Sequence, residues 1–158
     1  MARSNAVERF EREALERGLS IEVHEFPEGT KTAEAAARAV GCEVGQIVKS
    51  LVFVAGGKAF VALTSGANRA DTARLAGILE GSEVRRASPD EAREATGFAI
   101  GGTPPFGYPW PVQVLMDRDL FGYDVLWAAA GTPQAVFPIR PDDLVQASGA
   151  EPADFKEA

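Results

Sequence analysis

Apolar residues recur along the chain with two different periods, and each period predicts one kind of element. Near the N-terminus, Val7, Phe10, Ala14 and Leu15 follow helical spacing, and Gly18 is a stop signal directly after them. Charged residues fill the positions between them, so one face of this segment is apolar and the other is polar. The pattern predicts that the chain opens with an amphipathic helix.

Capping residues predict four further helices. Thr32 and Asp71 can each accept a hydrogen bond from the first turn of a helix that follows them. Ser88 opens the run Ser-Pro-Asp-Glu, in which the serine caps, the proline suits the first helical position and Glu91 completes a capping box. The predicted helices cover residues 32–39, 71–79, 88–97 and 141–149.

Apolar runs rich in valine, leucine and phenylalanine predict the strands. Residues 48–54 and 59–64 flank Ala-Gly-Gly-Lys, which is a hairpin signal. The other predicted strands cover residues 21–26, 83–87, 112–116, 125–129 and 135–139. Several strands follow one another without a helix between them, which argues against a doubly wound parallel sheet. We therefore predict one α/β domain over residues 1–158, with a mixed, strongly curved sheet and helices around it.

One lysine interrupts the most apolar of these strands. Side chains alternate along a strand, so Lys49 shares a face with Leu51 and Phe53. An ammonium group there must be paired, reach water along its stem, or line a cavity. About fifty residues later, the loop 101–107 has the sequence Gly-Gly-Thr-Pro-Pro-Phe-Gly, too rich in glycine and proline for a regular element. The lysine and the stiff loop together indicate a small anionic or carbonyl-bearing ligand.

Composition and charge narrow the chemistry. The chain is 46% hydrophobic and 25% charged, which is ordinary for a globular protein, and no apolar run approaches the roughly 18 residues of a membrane span. With one histidine and one cysteine, it offers no convincing metal ligand set, and we expect no cofactor. The net charge of −7 argues against a surface that coats DNA, while leaving room for a local patch that grips a nucleic-acid end. The N-terminus lacks the apolar stretch of a signal peptide, so we expect a cytoplasmic protein without a membrane partner.

Five short segments carry a resemblance to a known family. They are Thr-Ala-Glu-Ala-Ala at 32–36, Ile-Val-Lys-Ser-Leu-Val-Phe at 47–53, Thr-Gly at 96–97, the loop 101–107 and Ala-Gly at 130–131. In this order they resemble the YbaK/ProX family of aminoacyl-tRNA editing proteins, which is similar to the editing domain of bacterial prolyl-tRNA synthetase. The resemblance implies a curved mixed sheet that closes partly into a barrel, with helices outside.

The resemblance also implies an activity, the hydrolysis of the ester bond in a mischarged aminoacyl-tRNA. Its implied partner is the tRNA acceptor end, with an aminoacyl-tRNA synthetase as a second candidate partner. Such an ester needs a held carbonyl, a stabilised oxyanion, and a water molecule or substrate group as nucleophile. The catalytic residues carried over are Lys49, which would hold the terminal phosphate or ribose or polarise the carbonyl, and Gly101 and Gly102, whose bare backbone would approach the oxyanion.

A substrate pocket follows from the same resemblance. Pro105 and Phe106 would shape the amino-acid pocket or stack near the terminal adenine, with loop rigidity and core packing as their alternative roles. Gln134 stands in a region where one subfamily carries an acidic residue and another a histidine, so neither cysteine nor alanine is assigned as the edited amino acid. The implied substrate-binding residues are Phe26, Ser50, Thr103, Pro105, Phe106, Gly131 and Thr132.

Three hypotheses about function stay open from the residues. The first is a trans-editing deacylase, and the second is a non-catalytic module of the same fold that binds a tRNA end or a nucleotide-like ligand. The third is an unrelated hydrolase with Asp117 or Asp119 as its base, although an aspartate that ends a strand is as often a turn cap. His24 is a weaker catalytic candidate, and Cys42 is interpreted as a packed apolar residue.

Overall fold

The computed structural model describes residues 4–158 and forms one mixed sheet of eight strands with five α-helices around it. The helices are α1 (Asn5–Glu16), α2 (Ala33–Val40), α3 (Thr72–Ile78), α4 (Pro89–Thr96) and α5 (Pro141–Ser148). The strands are β1 (His24–Glu25), β2 (Ile47–Ala55), β3 (Lys58–Ser65), β4 (Val84–Arg86), β5 (Gln113–Asp117), β6 (Leu126–Ala129), β7 (Ala135–Ile139) and β8 (Glu151–Ala153). Short 3-10 helices cover Val44–Gln46 and Arg118–Gly122. No helix within residues 4–158 is long and apolar enough to cross a membrane.

The sheet confirms the predicted mixed α/β class. Its strand order is β1-β7-β6-β2-β3-β5-β8, and β4 pairs with β2. The pairs β2–β6, β3–β5 and β5–β8 are parallel, whereas β1–β7, β6–β7, β2–β3 and β2–β4 are antiparallel. Within the described residues β1 and β8 are the two ends of this order and do not pair with each other, so the sheet is not closed.

Local sequence signals fixed most helix ends where they were predicted. The Thr32 hydroxyl accepts from the Ala35 amide at 3.0 Å and so caps α2. The capping box is present at α4, where the Ser88 hydroxyl and the Glu91 carboxylate each accept from the other's backbone amide. Gly97 ends that helix with a φ of 79°, a left-handed conformation that glycine adopts without a steric penalty.

Two parts of the sheet differ from the sequence prediction. The strand predicted at 21–26 pairs only over His24–Glu25, because the apolar residues before it pack against the core without a partner strand. The last strand, Glu151–Ala153, was not predicted, since Glu-Pro-Ala carries no strand propensity. It forms because β5 offers it an edge, and a proline is tolerated on an edge strand.

The sheet buries side chains on both faces. The larger cluster includes Val48 and Val52 of β2 together with α1, whereas the opposite face buries Phe53 with β3, β5 and the C-terminal segment. Phe10 of α1 lies at the centre of the larger cluster, with its ring centroid 4.9 Å from that of Phe106 and 5.0 Å from that of Phe137. This aromatic contact attaches the first helix to both the loop 101–107 and β7.

Replacement of Phe10 by alanine tests this attachment. Phe10 is fully buried, so Phe10→Ala should lower the free energy of unfolding by about 3–5 kcal/mol through lost contacts and a cavity. Leu15 is on the same helix but 64% exposed, and Leu15→Ala should change it by less than about 0.5 kcal/mol. Urea denaturation measures both variants. If Phe10→Ala lowers the free energy of unfolding as little as Leu15→Ala does, α1 contributes little to the core.

Candidate functional site

Strand β2 has a continuous neighbour on one edge and an interrupted one on the other. β3 pairs with residues 48–55 of β2. On the opposite edge, β6 pairs with residues 47 and 48, and β4 pairs with residues 53–55. We call residues 49–51, which no strand of the described chain pairs on that edge, the edge gap.

A cavity of about 410 Å³ lies at the edge gap. Lys49 and Ser50 are consecutive and point to opposite faces of β2, yet both line the cavity. A cavity can reach both faces of a strand only where no neighbouring strand separates them. The other lining residues include Thr30, Lys31, Thr32, Glu34, Arg86, Ile100, Gly101, Thr103, Trp127 and Val136.

A hydrogen-bonded loop holds the ammonium group of Lys49. The Lys49 Nζ donates to the backbone oxygen of Asn68 at 2.6 Å. The Asn68 side-chain amide donates in turn to Asp117 Oδ2 at 2.8 Å and to Asp119 Oδ2 at 2.9 Å. Asp117 is buried and also accepts from the Ser65 amide at 3.1 Å. The two aspartates thereby hold the loop that follows β3. The Asn68 carbonyl oxygen in this loop in turn holds the ammonium group of Lys49.

Burial changes the electrostatics of this lysine. Partial burial lowers the pKa of Lys49 below its ordinary value, because a cation loses hydration there. The Glu34 carboxylate acts in the opposite direction and favours the charged form, whereas Arg69 and Arg86 add to the lowering. A cation in such a partly shielded site attracts an anion more strongly than an exposed lysine does. The cavity therefore suits a ligand that carries negative charge or develops it during a reaction.

The two glycines at the start of the loop 101–107 have different roles. Gly101 lines the cavity and has a φ of 91°, which favours glycine. Gly102 lies behind it, where a Cβ atom would be 2.6 Å from the Thr132 Cα, and its amide donates to the Ala99 carbonyl at 3.1 Å. Thr103 lines the cavity and donates its hydroxyl hydrogen to the same carbonyl at 3.1 Å.

Of the residues predicted for the site, Lys49, Ser50, Gly101 and Thr103 line the cavity. Phe106 is instead part of the aromatic core around Phe10, which is the packing alternative considered for it. Gly131 packs against α1, where a Cβ would be 2.8 Å from the Ala6 oxygen. The predicted residues outside the cavity lining are Phe26, Gly102, Pro105, Phe106, Gly131 and Thr132.

The other candidate residues, His24 and Cys42, do not line the cavity. The His24 imidazole lies 3.0 Å from Glu22 and packs edge-on against the ring of Trp127 at 5.2 Å. Burial, and next the neighbouring carboxylate of Glu43, raise the pKa of the Cys42 thiol, which disfavours the nucleophilic thiolate. Within residues 4–158, no three or more histidine, cysteine, aspartate or glutamate side chains group as a metal site.

Both aspartates of the third hypothesis serve the loop that holds Lys49. Asp117 accepts from Asn68 and from backbone amides, and it does not line the cavity. Asp119 forms a 2.7 Å ion pair with Lys156, and that bond lowers the pKa of its carboxyl group. Both carboxylates are therefore engaged as turn caps and loop contacts, and neither is available to act as a base in the cavity.

Sequence reasoning missed three lining residues that now define the cavity walls. Glu34 lies in the first turn of α2, and Arg86 lies at the end of β4. Trp127 was noted only as part of a strand. No local signal marks them, because they meet the cavity from three separate elements.

Comparison with known proteins gives the same family as the sequence resemblance. A solved structure of a protein provisionally named a trans-editing enzyme for prolyl-tRNA synthetase superposes with a TM-score of 0.94, at 46% identity over 99% of this chain and 100% of that one. The uncharacterized protein YwhH of Bacillus subtilis is 28% identical over 80% of this chain and 81% of its own length.

Part of a larger enzyme is also similar. A proline–tRNA ligase of Lactobacillus gasseri is 30% identical over 105 residues, which are 66% of this chain but only 19% of the ligase. The family model described as the aminoacyl-tRNA editing domain matches residues 27–147, a range that contains the edge gap and the loop 101–107. The chain belongs to the aminoacyl-tRNA editing domain family.

Proposed function

We propose that the protein is a trans-editing deacylase, which hydrolyses the ester bond between a wrongly attached amino acid and the terminal ribose of a tRNA. The observation that carries the proposal is the cavity at the edge gap, where a partly buried ammonium group and the backbone of Gly101 line one space. The similarity to a protein provisionally named a trans-editing enzyme supports the same reaction. The tRNA acceptor end is the proposed partner.

The proposed reaction needs no covalent enzyme intermediate. A water oxygen adds to the ester carbonyl, and the carbonyl oxygen becomes an oxyanion. The bond to the ribose oxygen then breaks, and that oxygen takes up the proton released by the nucleophile. Lys49 supplies the positive charge for the oxyanion or the terminal phosphate. Gly101 has no side chain, so its main chain can come close to the oxyanion.

The cavity walls limit the size of the edited amino acid. Its volume of about 410 Å³ falls within the usual range for small-ligand sites. Small apolar side chains form part of its wall, among them Ala33, Ala36, Ala128 and Val136. Editing is needed where a synthetase cannot reject a similar or smaller amino acid by binding alone. A small side chain wrongly attached to the tRNA for proline is therefore the first substrate to test.

A deacylation panel tests the proposed function. The protein is incubated with tRNA charged with alanine, cysteine, serine, threonine or proline, and the remaining ester is measured over time. We expect at least one mischarged tRNA to be hydrolysed well above the rate without protein. Binding of the charged tRNA without hydrolysis would instead identify a non-catalytic module. If the protein neither binds nor hydrolyses any charged tRNA of the panel, the proposal is refuted.

Lys49→Ala should remove activity and leave the fold intact. The ammonium group loses hydration in the cavity, so its removal should leave the melting temperature unchanged or raise it. The rate of deacylation should fall at least tenfold, which corresponds to about 1.4 kcal/mol of lost transition-state stabilisation. Lys49→Arg should restore little, because the planar guanidinium is larger than the ammonium.

Lys58 is the matched control for this experiment. It lies at the exposed start of β3, and Lys58→Ala should change neither the rate nor the melting temperature. A Lys49→Ala protein that unfolds, or one that retains the full rate, would show that the lysine is not the centre of the site.

Asn68 should act as a positioning residue for Lys49. Asn68→Ala keeps the carbonyl that accepts from the lysine but removes the side-chain bonds that fix it to Asp117 and Asp119. We expect a roughly tenfold lower rate in the native background, and no further loss when the change is made in Lys49→Ala. The shift in melting temperature should be the same in both backgrounds. Additive losses of rate would show that Asn68 acts independently of the lysine.

A further inference from the structure

The backbone of Ser50 faces the edge gap. Successive residues of a strand direct their N–H and C=O groups to opposite edges. The Ile47 carbonyl accepts from the Gly66 amide at 2.7 Å on the β3 side, and the Val52 carbonyl accepts from the Ala87 amide at 3.0 Å on the other side. Ser50 lies two residues before Val52, so its N–H and C=O point to the edge that β3 does not occupy.

Neither neighbouring strand reaches these groups. The register with β6 ends at Val48, which pairs with Ala128, and the register with β4 begins at Phe53, which pairs with Arg86. The Ser50 hydroxyl oxygen is buried as well and has no hydrogen-bond partner among residues 4–158. Ser50 thus lines the cavity with a backbone donor and a backbone acceptor that no strand within residues 4–158 pairs. Buried polar groups are normally paired, so this arrangement points to a ligand that pairs with them.

The geometry of a strand edge selects the chemistry of that ligand. The N–H and C=O of one residue lie side by side and match a partner with a neighbouring acceptor and donor. An α-amino ester is such a partner, because its carbonyl oxygen accepts and the ammonium group on the adjacent carbon donates. Glu34, which lines the same cavity, adds negative charge that favours a cationic group.

We propose that the Ser50 backbone binds the aminoacyl group as an edge strand binds a peptide. The Ser50 carbonyl accepts from the substrate's α-ammonium, and the Ser50 amide donates to the ester carbonyl. This inference rests on the proposed function and adds a requirement to it: the acyl group must carry a free α-ammonium. Esters with a blocked or missing amine, such as N-acylated aminoacyl-tRNA, are then poor ligands whatever their side chain.

Binding of non-hydrolysable analogues tests this requirement without relying on turnover. The probes are 3′-aminoacylamido-3′-deoxyadenosines that carry the amino acid hydrolysed fastest in the panel, or alanine if none is hydrolysed. Each is compared with its N-acetyl and its desamino counterpart by calorimetry. We expect both counterparts to bind at least tenfold more weakly and the free-amine analogue to shift the Ser50 amide resonance. Equal affinities for the three compounds would overturn the proposal.

Variants at Ser50 separate its backbone from its side chain. Ser50→Pro removes the N–H that faces the edge gap and breaks no hydrogen bond to β3, so the protein should fold and bind the free-amine analogue at least tenfold more weakly. Ser50→Ala keeps the backbone and should retain most of the affinity. Leu51→Pro is the control, because the N–H that it removes faces β3. It should destabilise the fold, which would verify that the Leu51 amide faces β3 and the Ser50 amide faces the edge gap.

The outcomes for the two proposals are distinct. A Ser50→Pro protein that folds and binds the analogue with native affinity would overturn the role of the backbone. If that variant does not fold, the comparison of the three analogues on the native protein decides the question. Binding that depends on the amine and is weakened in Ser50→Pro, without hydrolysis of any charged tRNA, would uphold the role of Ser50 and refute the proposed deacylation. Hydrolysis that does not depend on the amine would uphold the proposed deacylation and refute the role of Ser50.

Discussion

The interruption of strand pairing along one edge of β2 is the constraint on which the site depends. A central strand normally uses both edges for backbone hydrogen bonds, and a missing neighbour leaves polar groups without partners. Here β3 continues along the whole of the other edge, and apolar side chains pack on both faces, so the strand stays in place. The edge gap therefore combines a rigid strand with free backbone groups. It also lets two adjacent side chains from opposite faces reach one cavity.

The charge of the site is local and is held by the fold. The chain carries a net charge of −7, yet Lys31, Lys49 and Arg86 all line one cavity. Lys49 is not balanced by a direct carboxylate contact among the described residues. Its ammonium is bound by a neutral carbonyl, and the aspartates bind the loop that carries this carbonyl. The lysine is thus positioned without being neutralised, which leaves its charge available to a ligand.

The glycines of the site segments do more than free the backbone for a ligand. Gly102 packs on the backbone of residues 131–132, and Gly131 packs in turn on the first turn of α1. Each contact is too close for a Cβ atom, so the loop 101–107, the β6–β7 loop and α1 are stacked backbone on backbone. Phe106 anchors the same loop in the core against Phe10. The loop that carries Gly101 into the cavity is stiff because its neighbouring residues are bound on the far side.

The sequence alone determined the local structure and the candidate lysine. Caps and periodicity located the helices and the central hairpin, because these signals act over a few residues. The charge of Lys49 on an apolar strand marked it as unusual without any neighbour being known, and the short family motifs indicated the editing fold. What the tertiary structure decided was which motif residues share a space. Lys49, Ser50, Gly101 and Thr103 line the cavity, whereas Phe106 and Gly131 pack elsewhere. It also supplied β8, Glu34 and Arg86, and above all the edge gap, because the ends of strand pairing depend on how distant segments meet and leave no local mark in the sequence.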